Sequence, residues 1–380
     1  MVMAPVPIAT GRVIFDISRL YRCRHNAFAT GVDRIDLAIA LDLVARFGDA
    51  CDFVHAGLHG WCMLPRAASV ALLRRMDAAW TTGTARPAAR RRSGLVAFLG
   101  HAARARLGKR PDAAALSDTT YVVASHSGLG RLRGGLRSLD PSGRMRRLVY
   151  IHDLIPIEYP EYQRPQTQAQ FTAYLDEVTE RPLVVVANSH DTARRFAAFA
   201  ARKAIALDGI EVIIPDLVAG AVAAAPPRAE VRALAEGGRP YFITIGTIEP
   251  RKNHLLLLNI WRELARAGEP PYLVIVGKRG WENENVVDML DRCEALRGCV
   301  REMPGLADHE VQVLLKGARA LLFPSFTEGL GIPVLEARAL GVDCILSDIP
   351  VFREIAGDGT VLVDPLDGPG WIRAIRAALT

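Results

Sequence analysis

No cysteine of this chain has a partner at a metal-ligand or redox spacing. The six cysteines stand at 23, 51, 62, 293, 299 and 344 with no C-x-x-C pair among them. That excludes a disulfide frame and a thiolate metal site, and they read as reduced thiols of a cytoplasmic protein. No apolar run approaches the ~20 residues that a membrane-spanning helix needs. The start, Met1-Val-Met-Ala-Pro-Val-Pro7, lacks the basic-then-apolar layout of a signal peptide. No internal repeat is evident, so the chain is not read as a repeat array. Its basic stretches carry neither aromatic alternation nor a recognisable binding module, which sets nucleic acid aside as a partner.

What is present is a long, apolar, alternating chain. At 380 residues, half of them hydrophobic, it fits two domains with ample cores. In the first half, strands are predicted at Arg12–Ile17, Cys51–His55, Thr120–Ala124, Arg147–Ile151, Leu183–Ala187 and Ile210–Ile214. Helices are predicted at Val32–Phe47, Thr167–Glu180 and Ser189–Lys203, the last with Asn188-Ser189 as its cap signal. In the second half, strands are predicted at Tyr241–Gly246, Tyr272–Gly277, Leu321–Phe323, Cys344–Ser347 and Thr360–Val363, with helices between them. Such alternation predicts an α/β protein of parallel, doubly wound sheets. The Ala/Pro/Gly-rich stretch from Val218 to Pro240 separates residues 1–225 from residues 238–380.

The formal charge of +6 is uneven, because 16 Arg or Lys face only four Asp between Val70 and Arg147. Arg90, Arg91, Arg92, Arg104, Arg106, Lys109 and Arg110 sit among Leu, Val, Ala and Phe. This Arg-rich 86–110 segment suits an anionic membrane surface or a lipid phosphate, or else a solvated basic insertion. The expected location is the cytoplasm, peripheral to the inner face of the membrane.

The most specific segment is Phe323-Pro-Ser-Phe-Thr-Glu-Gly-Leu-Gly-Ile-Pro-Val-Leu-Glu336. An apolar strand leads into a Gly-Leu-Gly turn, and Pro333 suits a first helical turn. Gly329 and Gly331 let the backbone approach a ligand, and the N–H groups of Gly331 to Val334 are read as an anion site. Glu336, one turn inside the helix, can accept hydrogen bonds from a diol, while Glu328 faces whatever is attached to the anion. A phosphate flanked by two polyols describes a sugar nucleotide. A second segment, Tyr241-Phe-Ile-Thr-Ile-Gly-Thr-Ile-Glu-Pro-Arg-Lys-Asn253, puts Arg251 and Lys252 at the end of a strand, where two cations suit a leaving diphosphate. A third, Leu148-Val-Tyr-Ile-His-Asp-Leu-Ile-Pro156, places His152 at the C-terminal edge of a strand, where open α/β sheets bind ligands.

Together these segments resemble the family-4 (group 1) retaining glycosyltransferases of the GT-B fold. The resemblance implies two Rossmann-like domains facing across a cleft, with the acceptor on residues 1–225 and the nucleotide sugar on residues 238–380. It implies that Glu328 meets the donor sugar, Glu336 the nucleotide ribose, and Gly329, Leu330, Gly331 and Ile332 the distal phosphate. Arg251 and Lys252 would neutralise the departing diphosphate, and His152 would lie near the reacting sugar. Thr30-Gly31-Val32-Asp33-Arg34 is similar to the family's glycine-containing loop, so that Gly31 would lie over the donor; a plain helix start is the alternative. Thr247 stands where many relatives carry arginine, and offers a hydroxyl without charge. Relatives also continue with a terminal helix that crosses back to the first domain, beyond the position of Thr380.

Gly277-Lys-Arg-Gly-Trp281 resembles mannosyltransferase-like members that build surface polysaccharides, so a mannose-type donor on GDP is favoured. No metal or further cofactor is implied, since the cations take that role and no Asp-x-Asp stands beside the donor motifs. Asp358 and the Asp364–Asp367 segment are read as turn-shaping. The acceptor is expected to be a saccharide or a lipid-linked saccharide. Two other readings stay open: a nucleotide-sugar epimerase or phosphorylase on the same fold, and a non-catalytic binding or scaffold protein.

Overall fold

A computed structural model describes residues 3–8, 11–26, 28–57, 60–82, 118–126, 135–216, 226–268 and 270–380. The Arg-rich 86–110 segment, with Arg131, Arg133, Ser127 and Gly128, lies outside them. The chain forms two compact units. The first holds the described residues of Met1–Trp80, Thr84–Glu158 and Pro165–Asp216, and the second those of Thr81–Gly83, Tyr159–Arg164 and Leu217–Thr380.

The first unit is built on a seven-stranded sheet. Its strands are β1 (Arg12–Asp16), β2 (Cys51–Gly57), β3 (Gly60–Leu64), β4 (Thr119–Val123), β5 (Arg146–Ile151), β6 (Leu183–Ala187) and β7 (Leu207–Val212), in the order β3-β2-β1-β4-β5-β6-β7. All pair in parallel except β3, which turns back antiparallel on β2. The central strands read as continuous apolar runs because helices cover both faces. Ser189 caps the helix His190–Lys203 by accepting the Thr192 N–H at 3.0 Å, as its position before the helix predicts.

The second unit has six strands, β8 (Tyr241–Ile245), β9 (Tyr272–Val276), β10 (Val300–Glu302), β11 (Leu321–Phe323), β12 (Cys344–Ser347) and β13 (Thr360–Val363). Their order is β10-β9-β8-β11-β12-β13 and every pairing is parallel. This is the doubly wound order in which the chain reverses direction between its first and fourth strands, here β8 and β11. Phe242, Leu273, Ile275, Leu322 and Ile345 pack on Leu257, Leu258 and Trp261 of the helix His254–Ala267, and on Trp371 and Ile375 of the helix Gly368–Ala377. Trp261 and Trp371 are fully buried. Each indole N–H finds a backbone carbonyl, Pro271 O at 2.8 Å and Asp364 O at 3.0 Å, which removes the cost of burying a donor.

Several features depart from the sequence expectation, the three-residue β10 among them. The antiparallel β3 and the helix Arg66–Thr82 fall in a stretch for which no element was predicted. The last strand of the first sheet begins at Leu207 rather than Ile210, because it pairs with β6 alone and follows that strand's register through a shift at Leu183/Val184. The acidic turn residues behave as read: Asp364 accepts the Leu366 N–H, and Asp367 caps its helix through the Gly370 N–H.

Candidate functional site

The reversal between β8 and β11 brings two loops together at the C-terminal edge of the second sheet, where a crevice for a ligand forms in this topology. The loop after β8 is zipped to the loop after β9. Gly246 N–H donates to Val276 O, Ile248 N–H to Lys278 O and Gly280 N–H to Ile248 O, each at 2.9 Å. The approach requires glycine at 277, where a Cβ would stand 1.9 Å from Gly246 O, and at 280, where it would stand 2.6 Å from Thr247 Cγ2. Thr247 is thereby packed over Gly280. Pro250–Lys252 then forms a single 3-10 turn, and Asn253 at φ 55° redirects the chain into the helix His254–Ala267.

The loop after β11 is laced to that turn. Phe326 N–H donates to Arg251 O at 2.9 Å, and the Arg251 guanidinium donates to Thr327 O at 3.2 Å. Four charged side chains close the arrangement. Arg251 lies between Glu249 at 2.7 Å and Glu328 at 2.5 Å, and Lys252 Nζ meets Glu328 at 2.5 Å. Ser325 Oγ donates to the same carboxylate at 2.8 Å, and Lys252 Nζ stands 4.2 Å above the Phe323 ring. Glu249, Lys252 and Glu328 are all buried. Burial pushes Glu328 upward, but Arg251 and Lys252 more than offset it and hold the carboxyl at about 2, so it is ionised. Burial raises Glu249 above its ordinary value, with Arg251 opposing. The cluster is therefore a charge-balanced set largely held out of water, with Arg251 half-buried at its edge, an environment that strengthens each electrostatic contact.

Beyond Glu328 the chain runs through Gly329, Leu330 and Gly331, all buried, to the helix Ile332–Ala339, with Glu336 half-buried one turn in. Gly331 has φ 95°, a left-handed conformation that a glycine adopts without penalty. The expected anion site on the N–H groups of Gly331 to Val334 is narrowed by the backbone. Pro333 has no N–H, and the Val334 N–H is spent on Gly331 O at 2.9 Å. Gly331 and Ile332 keep N–H groups that bond no protein acceptor among the described residues. The structure thus gathers Arg251, Lys252, Glu328, Thr247, the 329–332 turn and Glu336 in one unit. Glu249 and Ser325 complete the cluster, and the sequence reading did not assign them a role. Their signal was position alone: each lies within three residues of a charged partner on the same loop.

His152 and Gly31 belong to the first unit. There the order reverses between β1 and β4, and buried polar residues gather at the ends of those strands and on the helix Gly31–Phe47. Asp16 accepts the Ser18 N–H and the Tyr121 hydroxyl, each at 2.9 Å, and Asp36 accepts from Ser125 at 3.0 Å. Burial raises both, Asp36 to about 7, and Asp36 Oδ1 has no partner among the described residues. His152 follows β5 with Nε2 2.6 Å from Ala124 O. A carbonyl only accepts, so Nε2 carries the proton and Nδ1 is left as an acceptor. Burial brings the imidazole down to about 3 against the opposing pull of Ala124 O, so the ring is neutral. Gly31 opens the helix Gly31–Phe47 without a positive φ. The capping is done by Thr30 and Asp33, which form a reciprocal box, and Arg19 pairs with Asp33 at 2.7 Å. Arg19, Asp16 and Asp36 were not singled out from sequence, although Asp16 ends the apolar run Val13–Phe15 and could have been.

Residues 228–380 match the family described as glycosyl transferases, group 1. The second unit is thus similar to group 1 glycosyltransferase domains over these residues, and the group 1 resemblance read from its motifs is borne out. The chain is similar to the serotype-specific mannosyltransferase WbdA of Escherichia coli, 31% identical over 214 residues, which cover 54% of this chain and 26% of WbdA. It is similar also to the O-antigen chain mannosyltransferase B of Escherichia coli, 35% identical over 128 residues, 33% of each chain. It therefore spans about a quarter to a third of the length of these relatives. Among solved structures, that of Anabaena HepE in complex with UDP and glucose superposes with a TM-score of 0.62 at 13% identity, over 97% of this chain and 90% of that one. The likeness establishes the fold, and the expected GT-B class with two Rossmann-like α/β units is borne out. No described helix is long and apolar enough to cross a membrane.

Proposed function

We propose that this chain is a retaining glycosyltransferase that moves a hexose from a nucleotide sugar to a saccharide or lipid-linked saccharide acceptor in surface polysaccharide synthesis. A mannose-type sugar on GDP is favoured, because the relatives named above are mannosyltransferases. The observation that carries the reading is the buried Arg251–Lys252–Glu328 cluster at the strand reversal of a group 1 domain. Arg251, Lys252 and the N–H groups of Gly331 and Ile332 supply what a departing diphosphate needs as the bond from C1 of the sugar to the phosphate oxygen breaks. The acceptor oxygen bonds to C1 on the same face, and its proton passes to the departing phosphate oxygen. Two cations aimed at the diphosphate do the work that a divalent metal does in other sites. Glu328 serves the sugar hydroxyls and Glu336 the ribose, Thr247 and Gly329 to Ile332 line the phosphates, and Gly31 and His152 act from the acceptor-binding unit. The same reading has the protein working in the cytoplasm, peripheral to the membrane, with residues 86–110 meeting anionic lipid.

The test is transfer itself. GDP-mannose, UDP-glucose and an ADP-hexose are each supplied with a mannose-terminated oligosaccharide, and release of diphosphate and the anomeric configuration of the product are followed by NMR. Release with one donor and an α-linked product from an α-linked donor supports the reading. Inversion refutes the retaining step. Binding of a nucleotide in thermal melts without transfer to any acceptor would favour the non-catalytic scaffold instead.

A further inference from the structure

Both cations that the donor site offers are already occupied. Arg251 is shared between Glu249 and Glu328, and Lys252 is bound to Glu328. Two positive and two negative groups leave the cluster neutral, and Lys252 and Glu328 are only 9% and 8% exposed, so water does little to screen them. A polyanionic diphosphate arriving here meets no net positive charge, and it gains full contact with the cations only by displacing a carboxylate.

The two carboxylates differ in what they hold. Among the described residues Glu249 forms an ion pair with Arg251, whereas Glu328 holds both cations and the Ser325 hydroxyl. Glu328 also stands beside the Gly329–Gly331 turn through which the donor phosphate is read. Displacing Glu328 breaks two charge-assisted contacts, a loss that new donors can offset. Sugar hydroxyls are such donors, and a spent nucleoside diphosphate has none at that end. On the donor-site reading given above, we infer that Glu328 is a resident counter-ion for Arg251 and Lys252, which yields to a diphosphate only when a sugar is attached, so that the site discriminates donor from spent product and speeds product release. The carboxylate returns to its cations as the sugar leaves, and competes with the diphosphate for them.

The experiment is titration calorimetry on the whole chain with GDP, UDP and ADP, the hexose conjugate of each, and inorganic pyrophosphate, comparing wild type with Glu328→Gln. The glutamine keeps the shape and the Ser325 contact but not the charge. The free diphosphate of the preferred base is expected to bind the variant roughly tenfold or more tighter than wild type, the scale of close charge-pair couplings. The preference for the sugar conjugate over the free diphosphate is expected to shrink. Unchanged or weaker diphosphate binding by a folded variant overturns the inference while leaving the donor site standing. A wild type and variant that bind none of the nucleotides overturn the donor site and the inference together. Where Glu328→Gln gives no cooperative melt, a crystal structure of wild type with the nucleoside diphosphate decides. A Glu328 carboxylate drawn off Lys252 supports the exchange, and an intact Lys252–Glu328 pair beside a bound diphosphate overturns it.

Discussion

Acid is expected to weaken the second unit through Glu328, and Glu328→Gln to remove that part of its pH dependence. In the folded chain burial raises this carboxyl, but Arg251 and Lys252 outweigh burial and bring it from 4.5 to about 2. A carboxyl depressed by folding stabilises fully above its unfolded value, and the contribution disappears as the pH falls through the folded one. At about 1.4 kcal/mol for each pH unit, the depression corresponds to about 3 kcal/mol. Glu328 is 8% exposed, so the figure is not reduced for solvent screening as a surface pair would be. Glu328→Gln should therefore cost the second unit about 3 kcal/mol at pH 7 and much less at pH 2.5, where the unfolded carboxyl is already protonated and the pH lies close to the folded value. Urea unfolding read by hydrogen exchange in peptides spanning Tyr241–Ile245 and Leu321–Phe323 follows this unit by itself. The difference between wild type and variant cancels the other acids that titrate in the same range, such as Glu310 paired with Arg228. A gap that is the same at pH 7 and pH 3 would refute the buried ion cluster.

Gly331→Ala is expected to cost about 1–3 kcal/mol, because φ is 95° and the new Cβ would stand 2.8 Å from Phe352 Cε1; thermal melts of the variant check it, and donor binding should weaken with it. Asp36→Asn should stabilise the first unit at pH 8 but not at pH 4. Burial raises that carboxyl to about 7, so its favourable contribution holds below the unfolded value and is lost as the pH rises through the folded one; a pH series of hydrogen exchange in Arg12–Asp16 reads it. Trp371→Ala should cost about 3–5 kcal/mol, the range for removing a buried aromatic, and would show as a lowered urea midpoint for the second unit.

Much of this fold is written locally. Strands β6, β11, β12 and β13 and the helix His254–Ala267 fall where the apolar runs and their flanking turn residues put them, the first three strands as short, largely buried apolar runs and β13 as a half-buried edge strand. The elements that escaped prediction are those whose existence depends on something distant. The strand β3 is a five-residue run that opens on a glycine and is half-buried throughout, without the alternation that marks a one-sided strand. It is held by antiparallel pairing to β2 and by Trp61, whose N–H donates to Gly135 O at 2.9 Å. The three-residue β10 is defined by pairing with β9. Neither contact has a signature inside the segment itself.

The site divides in the same way. The residue types were legible, because a strand that ends in a glycine turn before a helix, or in adjacent cations, has few chemical uses. Their pairing was not. Glu328 lies 76 residues from Lys252, and only the strand order that seats β11 beside β8 makes them neighbours. That pairing changes what the departure at Thr247 means. From sequence, an arginine missing at 247 reads as a lost phosphate contact that Arg251 and Lys252 must make up. In the folded unit, Thr247 packs over Gly280 beside a cluster whose two cations are matched by two carboxylates. A third cation at 247 would leave the empty site with net positive charge and a standing attraction for any diphosphate, spent product included. On the proposed donor-site reading, with threonine there, attraction arises only when Glu328 is drawn away, and the sugar is the part of the donor equipped to draw it. Thr247→Arg should then tighten binding of the free diphosphate more than that of the sugar conjugate. Equal tightening of the two would mean that Glu328 does not set the balance.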